Sequence, residues 1–270
     1  MKLNLVTPSK DVIKIRSIDS GIDYINKLFY YVDIEDGKLK ALGGYPASSL
    51  INIVGEADTG KSLLCQFAVV ANSSKLKTVY VSVENPASYV SSSLRRICLL
   101  KKVDYSSVIS NVRILDLSNH FNISSNVDNF LRDFYSLAKG YNICIFDSIT
   151  ALYENREVMA RYIVRRIFQI TKNLGLTCFM VSQKREDSPF VARSAGGMAI
   201  SHIADCNIVL SKIIVSSFAE KKLYGADLGE LVRIFRIDGC RVCGHSSKNH
   251  FFKINNYGYI VFTNSNQANE

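Results

Sequence analysis

Short runs of strand-forming apolar residues alternate with stretches of helical period along most of this chain. Residues 50–54 form the first such run, and 63–70 carry a helical pattern behind it. The rhythm then repeats. Strands are predicted at 78–83, 112–117, 142–147 and 176–182, and helices at 87–100, 126–138 and 157–174. This alternation predicts an α/β fold, a mostly parallel twisted sheet with helices on both faces. The character changes after Cys206. Runs at 207–210, 231–236, 251–254 and 259–262 follow one another and predict C-terminal antiparallel strands that extend the sheet through short turns. From Asn264 the chain is polar and predicts a frayed end. There is no internal repeat and no linker rich in Pro, Gly or Ser, so 1–270 is expected to be one domain.

Between the first strand and the first helix stands Gly55-Glu56-Ala57-Asp58-Thr59-Gly60-Lys61-Ser62. It fits G-x-x-x-x-G-K-[ST], the phosphate-binding loop of nucleoside triphosphatases, and has the strand–loop–helix context that this chemistry needs. The N–H groups and partial positive charge of a helix N-terminus attract phosphate oxygens. Lys61 can reach the β- and γ-phosphates, and the Ser62 hydroxyl can ligate Mg²⁺. The expected ATP contacts are Gly55, Glu56, Ala57, Asp58, Thr59, Gly60, Lys61, Ser62 and Leu63. Asp58 is unusual, an acid inside an anion-binding loop.

Composition narrows the class. A chain of 270 residues, 47% hydrophobic, can bury a sizeable core. No apolar run is long enough to span a bilayer, and the N-terminus lacks the apolar stretch of a signal peptide, so a cytoplasmic protein is expected. Seven cysteines fit that expectation, and Cys65, Cys144 and Cys178 sit in apolar runs as expected for buried thiols. The formal net charge of +9 favours a polyanionic partner.

A phosphate loop alone does not hydrolyse ATP. A second acid must help hold Mg²⁺, and a further group must orient the attacking water. Asp147 ends a predicted central strand, at the edge where open α/β sheets bind ligands, and is the expected metal acid. Glu84, just past the strand at 78–83, is the candidate base. Gln183 follows the strand at 176–182, where an amide can sense the γ-phosphate. Residues 184–198 form a polar, basic loop containing glycine, and Lys184, Arg185 and Arg193 are its candidate DNA contacts.

These pieces together resemble the RecA-like ATPases, in particular their KaiC/RadA branch. The resemblance rests on Asp19-Ser20-Gly21-Ile22-Asp23, on Gly43-Gly44-Tyr45-Pro46, on Val81-Ser82-Val83-Glu84, on Phe146-Asp147-Ser148 and on the segment 196–205, in that order. It implies a catalytic role for Glu84 and a γ-phosphate sensor at Gln183. It also implies side-by-side subunits, a homo-oligomer with ATP at the interface. In KaiC-type proteins a basic K-x-R-G stretch reaches the neighbour's nucleotide. Here Arg236-Ile237-Asp238-Gly239 stands in that place, with Asp238 at the second basic position and Arg241 as a substitute. About fifty residues precede the loop, so the N-terminal DNA-binding domain of RadA recombinases is not expected here.

Two segments stand apart. Residues 29–42 are an insertion, aromatic then charged, expected to form a hairpin or a partner contact. Cys240-Arg241-Val242-Cys243 has the first half of a zinc motif, but the following histidines are too close for a usual finger. The expected function is an ATP-binding, Mg²⁺-dependent and slow ATPase that binds single-stranded DNA as an accessory of recombination and repair, with a recombinase as a possible protein partner. The alternative is a KaiC-like nucleotide switch or scaffold acting on proteins without DNA.

Overall fold

The computed structural model describes residues 15–119, 126–153, 159–184 and 198–263. Five small elements lead in: β1 (Ser17–Ile18), α1 (Asp23–Asn26), β2 (Phe29–Val32), β3 (Leu39–Ala41) and β4 (Tyr45–Pro46). The core then alternates as the pattern predicts. It runs through β5 (Leu50–Gly55), α2 (Lys61–Asn72), β6 (Thr78–Ser82), α3 (Ala87–Lys101), α4 (Tyr105–Asn111), β7 (Val112–Asp116), α5 (Val127–Leu137), β8 (Ile143–Asp147), α6 (Ala160–Leu174) and β9 (Thr177–Gln183). The tail adds α7 (Met198–Ile203), β10 (Cys206–Ile214), α8 (Phe218–Tyr224), β11 (Leu231–Cys240), β12 (Gly244–His245), β13 (His250–Ile254) and β14 (Ile260–Phe262).

Nine strands form the main sheet in the order β14-β13-β11-β10-β5-β9-β8-β6-β7. From β10 to β7 the neighbours run parallel. From β10 outward to β14 they are antiparallel. Strand side chains alternate between faces. Ile143 and Ile145 of β8 therefore join the core under α2 and α3, with Leu64, Phe67, Leu94 and Ile97. Cys144 and Phe146 join the opposite core under α5 and α6, with Leu131, Phe134, Ile163 and Ile167. A strand buried on both faces has no polar alternation, which is why these runs read as continuous apolar segments. Cys65, Cys144 and Cys178 are buried as expected.

The insertion is a hairpin: β2 pairs antiparallel with β3, and β12 pairs with β2 on its other edge. Two seven-residue helices are among the elements that went unread in the sequence. Short turns were expected through the tail, yet α8 lies between β10 and β11. Its local signal is a capping box, Ser217 accepting from the Glu220 N–H at 3.2 Å while Glu220 accepts from the Ser216 N–H. It buries no side chain, so it lacks an apolar stripe to betray it. The other is α4, begun by an Asp104 cap on the Ser106 N–H.

Asp205 joins three elements. Its carboxylate accepts from the Leu50 N–H at 2.8 Å, where β5 begins, and from Lys172 Nζ of α6 at 2.6 Å. Asp205→Ala leaves a buried N–H without its acceptor, and a lost buried partner costs about 1–3 kcal/mol. A lowered urea midpoint with unchanged slope is expected, and Asp205→Asn, which keeps an acceptor for Leu50, should lose less.

Candidate nucleotide site

The carboxyl ends of four neighbouring strands meet at one edge. Gly55 of β5 pairs with Gln183 of β9, Asp147 of β8 pairs with Val181 of β9, and Ser82 of β6 pairs with Asp147. The loop turns out of β5 where the backbone is tightly packed. A Cβ on Gly55 would lie 2.6 Å from the Leu210 carbonyl oxygen and 2.9 Å from Thr59 Oγ1. Asp58 (φ 61°) and Gly60 (φ 93°) take left-handed conformations that turn the chain into α2. Gly60 offers no side-chain cap, so the N-terminus of α2 faces the loop's hollow through backbone groups alone. Thr59 Oγ1 closes the turn by donating to the Glu56 carbonyl at 2.8 Å.

Lys61 is buried and folds back over this loop. Its ammonium donates to the carbonyls of Gly55 (2.9 Å) and Glu56 (2.6 Å). Burial pulls its pKa below the usual lysine value, while Asp147, Glu84, Asp58 and Glu56 oppose that shift through their charge. Beside it, Ser62 Oγ donates to Asp147 Oδ1 at 3.0 Å and Tyr80 OH donates to Asp147 Oδ2 at 2.5 Å. Burial pushes the Asp147 carboxyl up, and the Tyr80 and Ser62 hydroxyls hold it back. Burial, with the neighbouring Asp147 charge, raises the Tyr80 phenol well above its usual range, so it stays a donor. The Asp147–Ser148 peptide is cis, and the Ser148 hydroxyl donates to the Glu84 carboxylate. The two acids expected for metal and water thus sit on adjacent strand ends, joined by consecutive residues. A hydroxyl and a carboxylate are hard oxygen donors, which suits Mg²⁺ that completes its shell with water and phosphate. The residues present fit Mg·ATP.

Gln183 is exposed at the end of β9, and its N–H donates to Thr150 Oγ1 at 3.1 Å, just beyond Asp147. Lys184 departs from its expected role as a DNA contact. Its side chain is buried and its ammonium lies 3.8 Å from Glu56 Oε1, which places it against the phosphate loop. Arg185 and Arg193 lie outside the described residues. Arg236 sits on β11 opposite Val209, which itself pairs with Val54, and its guanidinium bonds Asp238 at 2.9 Å. Arg241 follows Cys240, at the end of β11 away from the loop, and donates to the His202 carbonyl at 2.6 Å. The structure therefore does not bring Arg241 to the phosphate loop of its own chain. Among the described residues no group of three or more His, Cys, Asp or Glu is arranged to hold a metal ion. His250 instead bonds Tyr24 and Ser246.

Sequence reasoning missed two cations. Lys212 of β10 and Arg233 of β11 are register partners. Lys212 Nζ donates to the Ala57 carbonyl and Arg233 Nε to the Asp58 carbonyl, each at 2.9 Å. Together they brace the outer side of the loop, and Arg233 sets a positive charge against the acid of Asp58. Their distance in sequence from the loop, about 150 residues and more, left no local signal.

Fold and site define a class, the RecA-like proteins with a P-loop nucleotide site. The profile of the KaiC ATPase family matches residues 18–266, and the chain belongs to that family. A UPF0273 protein of Aeropyrum pernix is 33% identical over 116 residues, 43% of this chain and 40% of that protein. One from Pyrococcus furiosus is 30% identical over 118 residues, 44% of this chain and 41% of that protein. The matches therefore span well under half the length of these relatives. The crystal structure of a KaiC-like protein from Pyrococcus horikoshii superposes with a TM-score of 0.68 at 23% identity, covering 93% of this chain and 100% of that one. Among the described residues no helix is long and apolar enough to cross a membrane.

Tyr80→Phe removes one hydrogen bond from the Asp147 carboxylate without changing the ring. A loss of about 1 kcal/mol is expected, roughly fivefold in affinity. Calorimetric titration should place that loss on Mg·ATP and leave binding in EDTA unchanged.

Proposed function

We propose that this chain binds Mg·ATP at the phosphate loop and hydrolyses it slowly, in a cycle that governs a polyanionic partner, single-stranded DNA. The arrangement of Ser62, Tyr80 and Asp147, with Ser148 holding Glu84, carries the first half of this reading. Bound Mg²⁺ would supply charge neutralisation between the β- and γ-phosphates. Lys61 binds and orients the phosphates by releasing the loop carbonyls it now holds. Glu84, exposed and held by Ser148, accepts the proton of the attacking water. Arg236 is engaged by Asp238 on its own strand, which fits slow turnover for a site that relies on a neighbour's cation.

The DNA half rests on the net charge of +9 and on two basic regions. One is the segment with Arg185 and Arg193. The other is the outer face of α6, where Arg161, Tyr162, Arg165, Arg166 and Gln169 line an open hollow of about 420 Å³. Guanidinium groups beside an aromatic ring suit a strand whose phosphates need cations and whose bases need a stacking surface. A second reading, a nucleotide switch acting on proteins, is favoured by the hairpin tip, where Val32, Ile34 and Leu39 are exposed.

Two measurements test the proposal. Glu84→Gln should lower kcat by about 10²–10⁴ while ATP still binds, and Lys61→Ala should abolish binding. Single-stranded DNA should bind in a salt-sensitive way that responds to Mg·ATP. Replacing Arg161 and Arg165 by Ala should lower the salt slope by about 1.4, near 0.7 for each phosphate left without its cation. No DNA binding at low salt, with or without nucleotide, would leave the protein-directed switch standing.

A further inference from the structure

The strand pair that braces the phosphate loop at one end carries three thiols at the other. Cys206 opens β10 and faces Cys240, the last residue of β11, in direct register. Three residues on, Cys243 stands in the turn that leads to β12. Cys240 Sγ and Cys243 Sγ are 3.6 Å apart. Both are partly exposed, whereas Cys206 is buried. A disulfide needs about 2.05 Å between sulfurs, and within one short turn rotation about the Cα–Cβ bonds can close that gap.

The two sulfurs are not equivalent. Cys240 accepts hydrogen bonds from the thiols of Cys206 and Cys243 and from the N–H groups of Val242 and Cys243, and these hold it far below the ordinary thiol range. Cys243 shares a hydrogen bond with Cys240, and that bond and burial push its thiol up. The Tyr30 N–H of β2 points at the Cys243 sulfur. The dithiol is therefore asymmetric, with an attacking thiolate first and a resolving thiol second, and its resolving member touches the hairpin.

We propose that Cys240 and Cys243 form a reversible dithiol–disulfide site, oxidised by small-molecule disulfides, that clamps the β2–β3 hairpin to the main sheet. The Cys240 thiolate attacks one sulfur of an external disulfide, R–S–S–R, and expels R–S⁻. Cys243 then gives up its proton and attacks Cys240 Sγ, and the Cys240–SR bond breaks to release the second R–S⁻. Both leaving thiolates take up protons, so the chain loses two hydrogens and two electrons, and the oxidant gains them as two R–SH. Cys206 is a positioning residue that donates to the thiolate and forms no bond. The new bond fixes the turn between β11 and β12, and β12 pairs with β2 through Gly244–Tyr30 and His245–Phe29.

The test uses the full chain in buffers of oxidised and reduced glutathione, with alkylation of free thiols and peptide mass mapping. One disulfide joining Cys240 to Cys243, reversed by excess reduced glutathione, is expected. Cys240→Ser should abolish it. Cys243→Ser should stop at a glutathione adduct on Cys240, and Cys206→Ser should still form the bond. Amide hydrogen exchange over residues 29–32 should slow on oxidation of the native chain and not of Cys243→Ser. Free Cys240 and Cys243 throughout the series would overturn the proposal, as would a bond to Cys206. A bond that forms without slowing exchange in the hairpin would overturn the clamp. None of these readings depends on nucleotide, so the result stands apart from that of the ATPase test.

Discussion

A carboxylate that is only 6% exposed is unstable unless its charge has partners, and Asp147 has two hydroxyls and a nearby ammonium. These partners come from two other elements. Lys61 and Ser62 come from the first turn of α2, and Tyr80 from the middle of β6. Holding this one group therefore fixes β6, β8 and the start of α2 against one another. The same hydrogen bonds set the Ser62 and Asp147 oxygens 3.0 Å apart, a pair of hard donors of the kind that suits a divalent cation. The cost of burying the acid is thus tied to the geometry that the chemistry uses. Glu84 needs no such set of partners, because it is exposed, and the Ser148 hydroxyl holds it.

The alternation of strands and helices was legible in the sequence because strands covered on both faces are continuous apolar runs. Leu50–Gly55 and Ile143–Asp147 are buried throughout, and only Asn52 and the terminal Asp147 interrupt their apolar runs. The phosphate loop was legible because its glycines and Lys61 act locally, within eight residues. The tail was harder. Four of its five described strands were found, β12 excepted, but α8 lies on the surface with no buried side chain, and a helix without an apolar stripe has no period to detect. Tyr80 read only as a strand residue, since nothing near it in sequence tells that its hydroxyl meets Asp147. Lys184 read as a loop cation because its charge was visible and its partner, Glu56, was not. Long-range pairs of this kind leave no trace in local pattern.

Asp58 raised a question about an acid in an anion-binding loop, and the β10–β11 pair answers it. Arg233 and Lys212 hold the backbone carbonyls of Asp58 and Ala57 from outside. A loop that must present N–H groups inward has its carbonyls directed away, and those oxygens need donors of their own. Here two cations fill that need and set positive charge beside the Asp58 carboxylate. The loop can then carry an acid at its tip without surrendering the field that attracts phosphate.

The same central strand also ties the phosphate loop to the segment beyond β9. Asn52 is fully buried in the middle of β5, where an amide is costly unless bonded. It accepts from Ser182 Oγ at 2.7 Å and donates to Asn207 Oδ1 at 3.3 Å, and Asn207 donates in turn to the Ser201 carbonyl of α7 at 3.0 Å. Ser182 stands immediately before Gln183, and Ser201 lies in the helix that follows 185–197. The described residues on either side of 185–197 are therefore anchored to one asparagine, three residues before Gly55. An apolar residue at position 52 would pack as well in the strand but would free both anchors from the loop's own strand. That a polar residue stands there is explained by what it joins, not by the core it interrupts.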